Sequence, residues 1–296
     1  MYQPLRAPVQ ENLTVRGLRH RLTWWGEKRE NPVVLLHGLM DCGSTWQFLV
    51  DCLPQFESIV APDWRGFGGS EWSEAGYWFP DYLADLEALL AALVPNQRAR
   101  VIAHSMGANI ATMYAGIRPA RLQWLANLEG IGLPRLPAEM APARYERWLN
   151  EIADAPRGSR YDSLAQLADI LMTRNPGLTA ERAHFVAHAW AKPTAAGEAV
   201  QFIFDPRHRI VNPVLYRREE AEACWARMQI PMLLLMAGRS DILPRLADDA
   251  DVERVRGQYR DIRIVHLPHV GHLMHFEDPE SVARHIREFE RSLPVP

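Results

Sequence analysis

Three side chains in this sequence have the types needed for nucleophilic catalysis. They are Ser105, Asp241 and His272, and each directly follows a stretch with the apolar composition of a buried strand. A serine hydroxyl becomes an effective nucleophile only when a neighbouring base removes its proton, and a histidine can act as that base when an acid fixes its tautomer. If the strands form one parallel sheet, their carboxyl ends meet at one edge. The sequence therefore predicts an activated serine at that edge.

The segment around Ser105 predicts how the serine is presented. An apolar, β-favouring run from Arg100 to Ala103 is followed by the serine, by Gly107 and by a helix-compatible stretch. A strand, a sharp turn and a helix in this order resemble the nucleophile elbow G-x-S-x-G, with Ala103 at the first glycine position. The alternative is that Ser105 only caps the following helix.

Length, composition and charge exclude several classes of protein. The chain has 296 residues, of which 48% are hydrophobic and 23% are charged, which fits one α/β domain or a domain with an insertion. A net charge of −3 gives no basis for binding nucleic acid or an anionic membrane. Three irregularly spaced cysteines predict neither a disulfide framework nor a zinc site. No signal peptide or membrane span is recognised, so a cytoplasmic location is expected.

Apolar runs alternate with helical periodicity along most of the chain. The runs that predict buried strands are Pro32 to Gly38, Ser58 to Asp63, Arg100 to Ala103, Trp124 to Leu128, Ile230 to Ala237 and Ile262 to Leu267. Runs without polar alternation are typical of parallel strands covered on both faces. The fold class expected is therefore α/β, with a doubly wound, mostly parallel sheet.

The composition changes between Ile131 and Arg227. Prolines open this segment, β-type runs disappear, and several stretches have helical spacing. We interpret it as an inserted helical cap, which divides the chain into a first core part (1–131), the cap (132–227) and a second core part (228–296). After the next strand, a helix is expected from about Arg245 to Gln258.

Five motifs occur in the order and context of one known family. They are His37-Gly38, the glycine-rich loop Asp63 to Ser70, the elbow at Ser105, Gly238-Arg239-Ser240-Asp241, and His269-Val270-Gly271-His272-Leu273 leading into Glu277-Asp278-Pro279. The sequence resembles the α/β-hydrolase superfamily of the type with a helical cap, in which the catalytic residues follow the order Ser, acid, His. The resemblance covers nearly the whole chain.

The resemblance implies a role for each site residue. Ser105 would be the nucleophile, His272 the base that takes its proton and later returns it, and Asp241 the acid that holds the imidazole. The backbone N–H groups of Leu39 and Met106 would form the oxyanion hole, which stabilises negative charge on the substrate carbonyl.

Four other polar residues lie at or just after the ends of predicted strands, and each is assigned a role at the site. Glu129 also follows a strand, and some superfamily members place the triad acid there, so it is the alternative to Asp241. His37, Asp63 and Arg65 are interpreted as structural residues that hold the loops of the site.

Histidine spacings allow two metal interpretations, and we favour neither. The first set is His269, His272 and His275, which surrounds a turn without a carboxylate at ligand spacing. The second is His184 and His188, which lacks the glutamate of H-E-x-x-H. No metal and no cofactor is therefore expected.

The type of nucleophile limits the classes of reaction that the protein could catalyse. Dehalogenases and epoxide hydrolases of the superfamily use aspartate at the elbow, so Ser105 favours a carboxylesterase that forms an acyl-serine intermediate. Aromatic residues in the cap suggest small to medium apolar or aromatic esters; the pocket candidates are Trp148, Trp190, Phe202 and Phe204. These aromatics could instead pack the cap onto the core.

Other functions remain open on the same residues. They are a carbon–carbon bond hydrolase, a thioesterase or acyltransferase, a perhydrolase, and a non-catalytic small-molecule receptor. The expected partner is a small-molecule ester, and the sequence leaves the oligomeric state open.

Overall fold

The computed structural model describes residues 2–195, 197 and 199–294. The strands of its main sheet are β1 (Pro8–Val15), β2 (Leu18–Gly26), β3 (Val33–Leu36), β4 (Ser58–Pro62), β5 (Ala99–His104) and β6 (Leu122–Leu128), followed after a long interval by Met232–Ala237 and Ile262–Leu267. Three short strands in that interval are β7 (Arg160–Tyr161), β8 (Ala191–Pro193) and β9 (Val200–Phe202), so the last two strands are β10 and β11.

The main sheet has eight strands in the order β1-β2-β4-β3-β5-β6-β10-β11. β1 pairs antiparallel with β2, and β2 pairs antiparallel with β4. From β4 to β11 every neighbouring pair is parallel. The predicted fold class, α/β with a doubly wound, mostly parallel sheet, is confirmed. The carboxyl ends of β3, β5, β6, β10 and β11 share one edge.

Helices cover both faces of this sheet. The helices of the described residues are α1 (Gln47–Asp51), α2 (Phe79–Leu93), α3 (Ser105–Ile117), α4 (Ala141–Ala153), α5 (Leu164–Arg174), α6 (Ala180–Trp190), α7 (Arg218–Trp225), α8 (Val252–Gly257), α9 (Met274–Glu277) and α10 (Pro279–Ser292). In β3, Val34 and Leu36 enter one apolar cluster with Leu86 of α2, whereas Val33 and Leu35 enter a second cluster with Ile286 of α10. Alternate side chains therefore meet different layers, which explains the unbroken apolar run.

The segment between β6 and β10 contains α4 to α7 and a small antiparallel sheet in the order β7-β9-β8. The helical pattern did not predict this sheet, because strands of two or three residues are too short to show an alternation. Within the described ranges, no helix is both long and apolar enough to cross a bilayer.

The helix predicted from about Arg245 to Gln258 is wrong in its first half. Leu243–Ala250 forms 3₁₀ turns, and Ala247 interrupts them with a left-handed φ of 48°. α8 then begins afresh, because the Asp251 side chain accepts the N–H of Arg254 at 2.9 Å and so caps it.

We expect Gly116→Ala to lower the free energy of unfolding by about 2 kcal/mol or more. A Cβ on Gly116 would lie 1.8 Å from the carbonyl oxygen of Cys224, so α3 and α7 would have to separate. Gly257→Ala is the matched control, because no described residue beyond its chain neighbours and its own helix lies within 4 Å of its added Cβ, and alanine favours the helix by up to about 1 kcal/mol. Urea denaturation measures both; equal stability of the two variants would contradict the close packing of α3 on α7.

Candidate active site

Ser105 occupies a sharp turn between β5 and α3. Its φ is 49°, a left-handed value that side-chain-bearing residues rarely adopt. A Cβ on Gly107 would lie 2.4 Å from the carbonyl oxygen of Leu36, and a Cβ on Gly130 would lie 2.7 Å from that of Ser105. At these distances from neighbouring backbone oxygens there is no room for a Cβ, so only glycine fits at either position. Ala103, in place of the first elbow glycine, is fully buried.

The structure places Ser105, His272 and Glu129 in one hydrogen-bonded line. Ser105 Oγ lies 2.8 Å from His272 Nε2, and His272 Nδ1 lies 2.5 Å from Glu129 Oε2. Because an ionised carboxylate can only accept, Nδ1 carries the proton and Nε2 is free to accept the serine proton. This is the order of contacts that a serine nucleophile, its base and an orienting acid require.

Glu129 is held by three donors. Its Oε1 accepts the backbone N–H of Ala237 at 2.7 Å, and its Oε2 accepts the Ser240 hydroxyl at 2.7 Å as well as His272 Nδ1–H. The side chain is fully buried, so these bonds compensate for the lost hydration of a carboxylate. The φ of 58° at Glu129 turns the chain at the end of β6.

Asp241 does not contact His272, and the prediction that it is the acid of the site is wrong in this structure. Its side chain is 69% exposed, and its Oδ2 pairs with Arg245 Nη2 at 2.9 Å. The reason lies in the loop after β10, where Ser240 rather than Asp241 reaches the buried carboxylate. Glu129, the alternative at the end of neighbouring β6, occupies the place of the acid.

The loop after β3 runs directly beside the serine. A Cβ on Gly38 would lie 3.1 Å from Ser105 Cβ, so Gly38, the residue before Leu39, passes close to the nucleophile. Met106 lies in the first turn of α3, where N–H groups have no partner within the helix. Of the two residues predicted for the oxyanion hole, Met106 directly follows Ser105 and Leu39 directly follows Gly38.

Buried hydrogen bonds fix the loops that carry the site, as predicted for His37, Asp63 and Arg65. His37 Nδ1–H donates to the carbonyl of Gly38 at 2.8 Å, and His37 Nε2 accepts the N–H of Trp64 at 2.9 Å. Asp63 accepts the N–H of Gly69 at 2.7 Å. Two further contacts belong to the same set: Asp63 with Gly43 at 2.5 Å, and Arg65 with Asp85 through two bonds of 2.6 Å.

The burial of His37 contributes a dependence of stability on pH that is unfavourable in acid. Burial lowers the pKa of His37 from 6.5 to about 4. Between these pH values the unfolded chain binds a proton that the folded chain does not, so the free energy of unfolding falls as the pH falls. His37 alone accounts for about 3 kcal/mol at pH 4.

Urea denaturation at pH 7.5 and 4.5 measures this loss. In His37→Gln, we expect the difference between the two pH values to shrink by about 2 kcal/mol, although the variant is less stable at both. An undiminished difference would contradict the assignment to His37. Burial lowers the pKa of His20, His104 and His275 in the same direction, so the variant retains part of the dependence.

Three of the four predicted pocket residues form one aromatic cluster. Trp190, Phe202 and Phe204 have ring centroids 5.6 to 6.2 Å apart. Phe204 also packs against Phe67 of the loop after β4 at 5.7 Å. Trp148 lies on α4, which has no buried residue. The cluster therefore joins the segment between β6 and β10 to the main sheet's loops.

The histidines considered as metal ligands are divided between separate environments. His272 faces Ser105 and Glu129, His275 is fully buried, and His269 is exposed. His184 and His188 both lie on α6, where His188 is exposed.

Sequence reasoning missed two features of the site. Ser240, which bonds Glu129, carried no signal beyond its position next to Asp241. Asp41, His104 and His275 form a buried cluster beside His272, and their separation along the chain gave no indication of it.

Comparison with known families and relatives agrees with this architecture. The model of the alpha/beta hydrolase family matches residues 33–285. The chain is similar to a serine hydrolase-like protein of Danio rerio, with 26% identity over 282 residues that cover 90% of this chain and 83% of the relative. It is also similar to a 3-hydroxybutyrate-oligomer hydrolase of Cupriavidus necator, with 26% identity over 89% of this chain and 91% of the relative.

A solved structure resembles the whole fold. The thioesterase domain from the curacin biosynthetic pathway superposes with a TM-score of 0.82 at 25% identity, covering 95% of this chain and 99% of that domain.

Proposed function

The chain belongs to the alpha/beta hydrolase family, and on that premise we propose that it is a carboxylesterase with Ser105, His272 and Glu129 as its catalytic residues. The observation that carries the proposal is the unbroken line of contacts from Ser105 Oγ through both nitrogens of His272 to Glu129. The Glu129 carboxylate replaces the aspartate expected from the sequence.

In the proposed reaction, His272 Nε2 takes the Ser105 proton while Oγ attacks the ester carbonyl. The resulting oxyanion faces the N–H groups of Leu39 and Met106, and removal of one such donor typically costs about 3 kcal/mol of transition-state stabilisation. His272 then protonates the departing alcohol oxygen, which leaves an acyl-serine. A water molecule, deprotonated by the same nitrogen, attacks this intermediate, and His272 returns the proton to Ser105 Oγ as the acid is released.

Glu129 stabilises the positive charge that His272 carries between these transfers. Because Ala237, Ser240 and His272 all donate to its two oxygens, the carboxylate is held in one orientation. The imidazole ring therefore needs little reorganisation when it gains the proton, which is the role of the acid in such triads.

We further propose that residues 132–227 form a cap and that Phe202, the partly exposed member of the aromatic cluster, provides apolar surface for the acyl or aromatic part of the substrate. Trp190 and Phe204 are buried and pack behind it. Both buried rings contact Phe202, with centroids 6.2 Å and 5.6 Å from its own, and so fix its position. Aromatic rings bind flat or extended apolar groups through large contact areas. Trp148 stays outside this proposal.

A thioesterase is the second candidate. It is supported by the similarity to a thioesterase domain over nearly the whole chain, and the proposed residues would act on a thioester in the same way. The relative from Cupriavidus necator, named for hydrolysing 3-hydroxybutyrate oligomers, favours an oxygen ester.

Intact-mass measurement after fluorophosphonate treatment tests the proposal. We expect a single adduct on the wild type, mapped to Ser105, and none on the folded Ser105→Ala protein. A folded wild type that takes no adduct would contradict an activated serine and favour the receptor alternative. Matched p-nitrophenyl esters and acyl thioesters of equal acyl length then separate the two candidates by kcat/KM.

A further inference from the structure

A second group of ligand-type side chains lies outside the proposed catalytic line. It consists of Asp41 in the loop after β3, His104 at the end of β5 and His275 in α9, and each is at most 2% exposed. One nitrogen or carboxylate oxygen from each lies within 4.8 Å of the other two. We call these three residues the buried histidine cluster.

The two carboxylate oxygens of Asp41 differ in their hydrogen bonding. Its Oδ1 accepts the N–H of Cys42 at 2.8 Å, the hydroxyl of Thr45 at 2.7 Å and the indole N–H of Trp190 at 2.9 Å. Its Oδ2 is buried and has no hydrogen-bond partner among the described residues. A buried carboxylate oxygen in this state requires a positive or donating group.

One imidazole nitrogen of His104 is buried without a hydrogen-bond partner among the described residues. Its Nε2 lies 2.9 Å from the carbonyl oxygen of His272, and because a carbonyl can only accept, Nε2 carries the proton. Nδ1 is therefore the unprotonated nitrogen, and it is buried without a partner in the described part of the chain.

His275 cannot satisfy both neighbours while it is neutral. Neither of its nitrogens has a hydrogen-bond partner within the described ranges, and its Nε2 lies 3.8 Å from Asp41 Oδ2, which is longer than a hydrogen bond. A neutral imidazole offers one N–H, whereas Asp41 Oδ2 and His104 Nδ1 each need a donor. At least one of these two acceptors is therefore left without a donor.

We propose that the buried histidine cluster binds a divalent transition-metal ion of the zinc class. Two imidazole nitrogens and one carboxylate oxygen are a ligand set that Zn²⁺ accepts, with an open fourth position. Zinc bonds of about 2.0–2.2 Å place tetrahedral ligand atoms roughly 3.4 Å apart. His275 Nε2 and Asp41 Oδ2 are 3.8 Å apart, and all three ligand atoms lie within 4.8 Å of one another, so the side chains would have to move together by roughly 1 Å to reach zinc-bond distances. Mg²⁺ and Ca²⁺ prefer oxygen ligands and fit poorly.

A bound ion would act on the neighbouring catalytic residues. His104 donates to the carbonyl of His272, and the two rings are 4.7 Å apart. A dication here would oppose the positive charge that His272 must acquire during proton transfer. We therefore expect Zn²⁺ to inhibit the esterase; this consequence rests on the proposed function, whereas metal binding does not.

Titration of the purified chain with Co²⁺ tests the site without an activity measurement. The readouts are the visible absorption of bound Co²⁺ and tryptophan fluorescence, because Trp46 lies 4.6 Å from the His275 ring. We expect one Co²⁺ per chain, displaced by Zn²⁺. His275→Gln and Asp41→Asn should each weaken binding about tenfold or more. Asn keeps the oxygen that accepts from Cys42, Thr45 and Trp190, so this variant is designed to fold.

His188→Gln is the matched control, because it removes an exposed imidazole from the His184–His188 pair on α6. We expect it to leave Co²⁺ binding unchanged. Binding that is absent in the wild type, or that is lost in His188→Gln but kept in both cluster variants, would overturn the inference. Fluorophosphonate labelling without Co²⁺ binding would reject the metal site alone; Co²⁺ binding without labelling would reject the esterase alone.

Discussion

Glu129→Gln is expected to lower kcat/KM for a p-nitrophenyl ester by about 10⁴-fold. The backbone N–H of Ala237 donates to Oε1, so the amide oxygen of the glutamine will occupy that position. Its NH₂ group then faces His272 Nδ1 and donates to it. His272 is forced into the tautomer with the proton on Nε2, which cannot accept the proton of Ser105.

The matched control for this prediction is Asp241→Asn. The change also converts a carboxylate into an amide, but at an exposed side chain paired with Arg245. We expect its kcat/KM to stay within about twofold of the wild type, since exposed ion pairs contribute little. A large loss in Asp241→Asn together with a small loss in Glu129→Gln would restore the assignment made from the sequence.

The contrast between Ser105 and Asp241 shows which parts of the site the sequence encodes locally. Ser105 could be identified because the elbow is a continuous segment in which a strand, small residues and a helix occur in a fixed order. His272 likewise follows a strand within a recognisable loop. Glu129 has no comparable local context, because its side chain contacts Ala237, Ser240 and His272, which lie far from it along the chain.

Three tertiary features bring Glu129 rather than Asp241 to His272, and none is visible in a linear pattern. β6 lies next to β10 in the sheet, which brings Ala237 and Ser240 to Glu129. The left-handed φ of Glu129 turns the backbone sharply at the end of β6. The partner of Asp241 is Arg245, four residues later. The order Ser, Asp, His was compatible with the sequence, but the strand neighbours favour Glu129.

The sheet itself was more predictable than the segment inserted between β6 and β10. Long apolar runs indicate strands that are covered on both faces, as in β3, β4 and β10. The strands β7, β8 and β9 span only two or three residues each, so they carry no periodic signal. The buried histidine cluster joins residues from three distant parts of the chain, and only the folded arrangement relates them.

Ser105→Ala and His272→Ala are each expected to lower kcat by about 10⁶-fold, and the double variant should be no worse than either single variant. The reason is that His272 Nε2 and Ser105 Oγ, 2.8 Å apart, act in one proton transfer, so removing either group abolishes the same step. Adding Glu129→Gln to the Ser105→Ala protein should likewise lower kcat no further, because in the proposed mechanism Glu129 acts only through His272.

Steady-state kinetics of the single and double variants measure this coupling, with circular dichroism to establish that each is folded. The residual rate above the uncatalysed reaction would report the backbone N–H groups of Leu39 and Met106, which the substitutions leave in place. If the losses instead multiplied in the double variants, the three residues would act independently. In that case their hydrogen-bonded line would be a structural contact rather than a single catalytic unit.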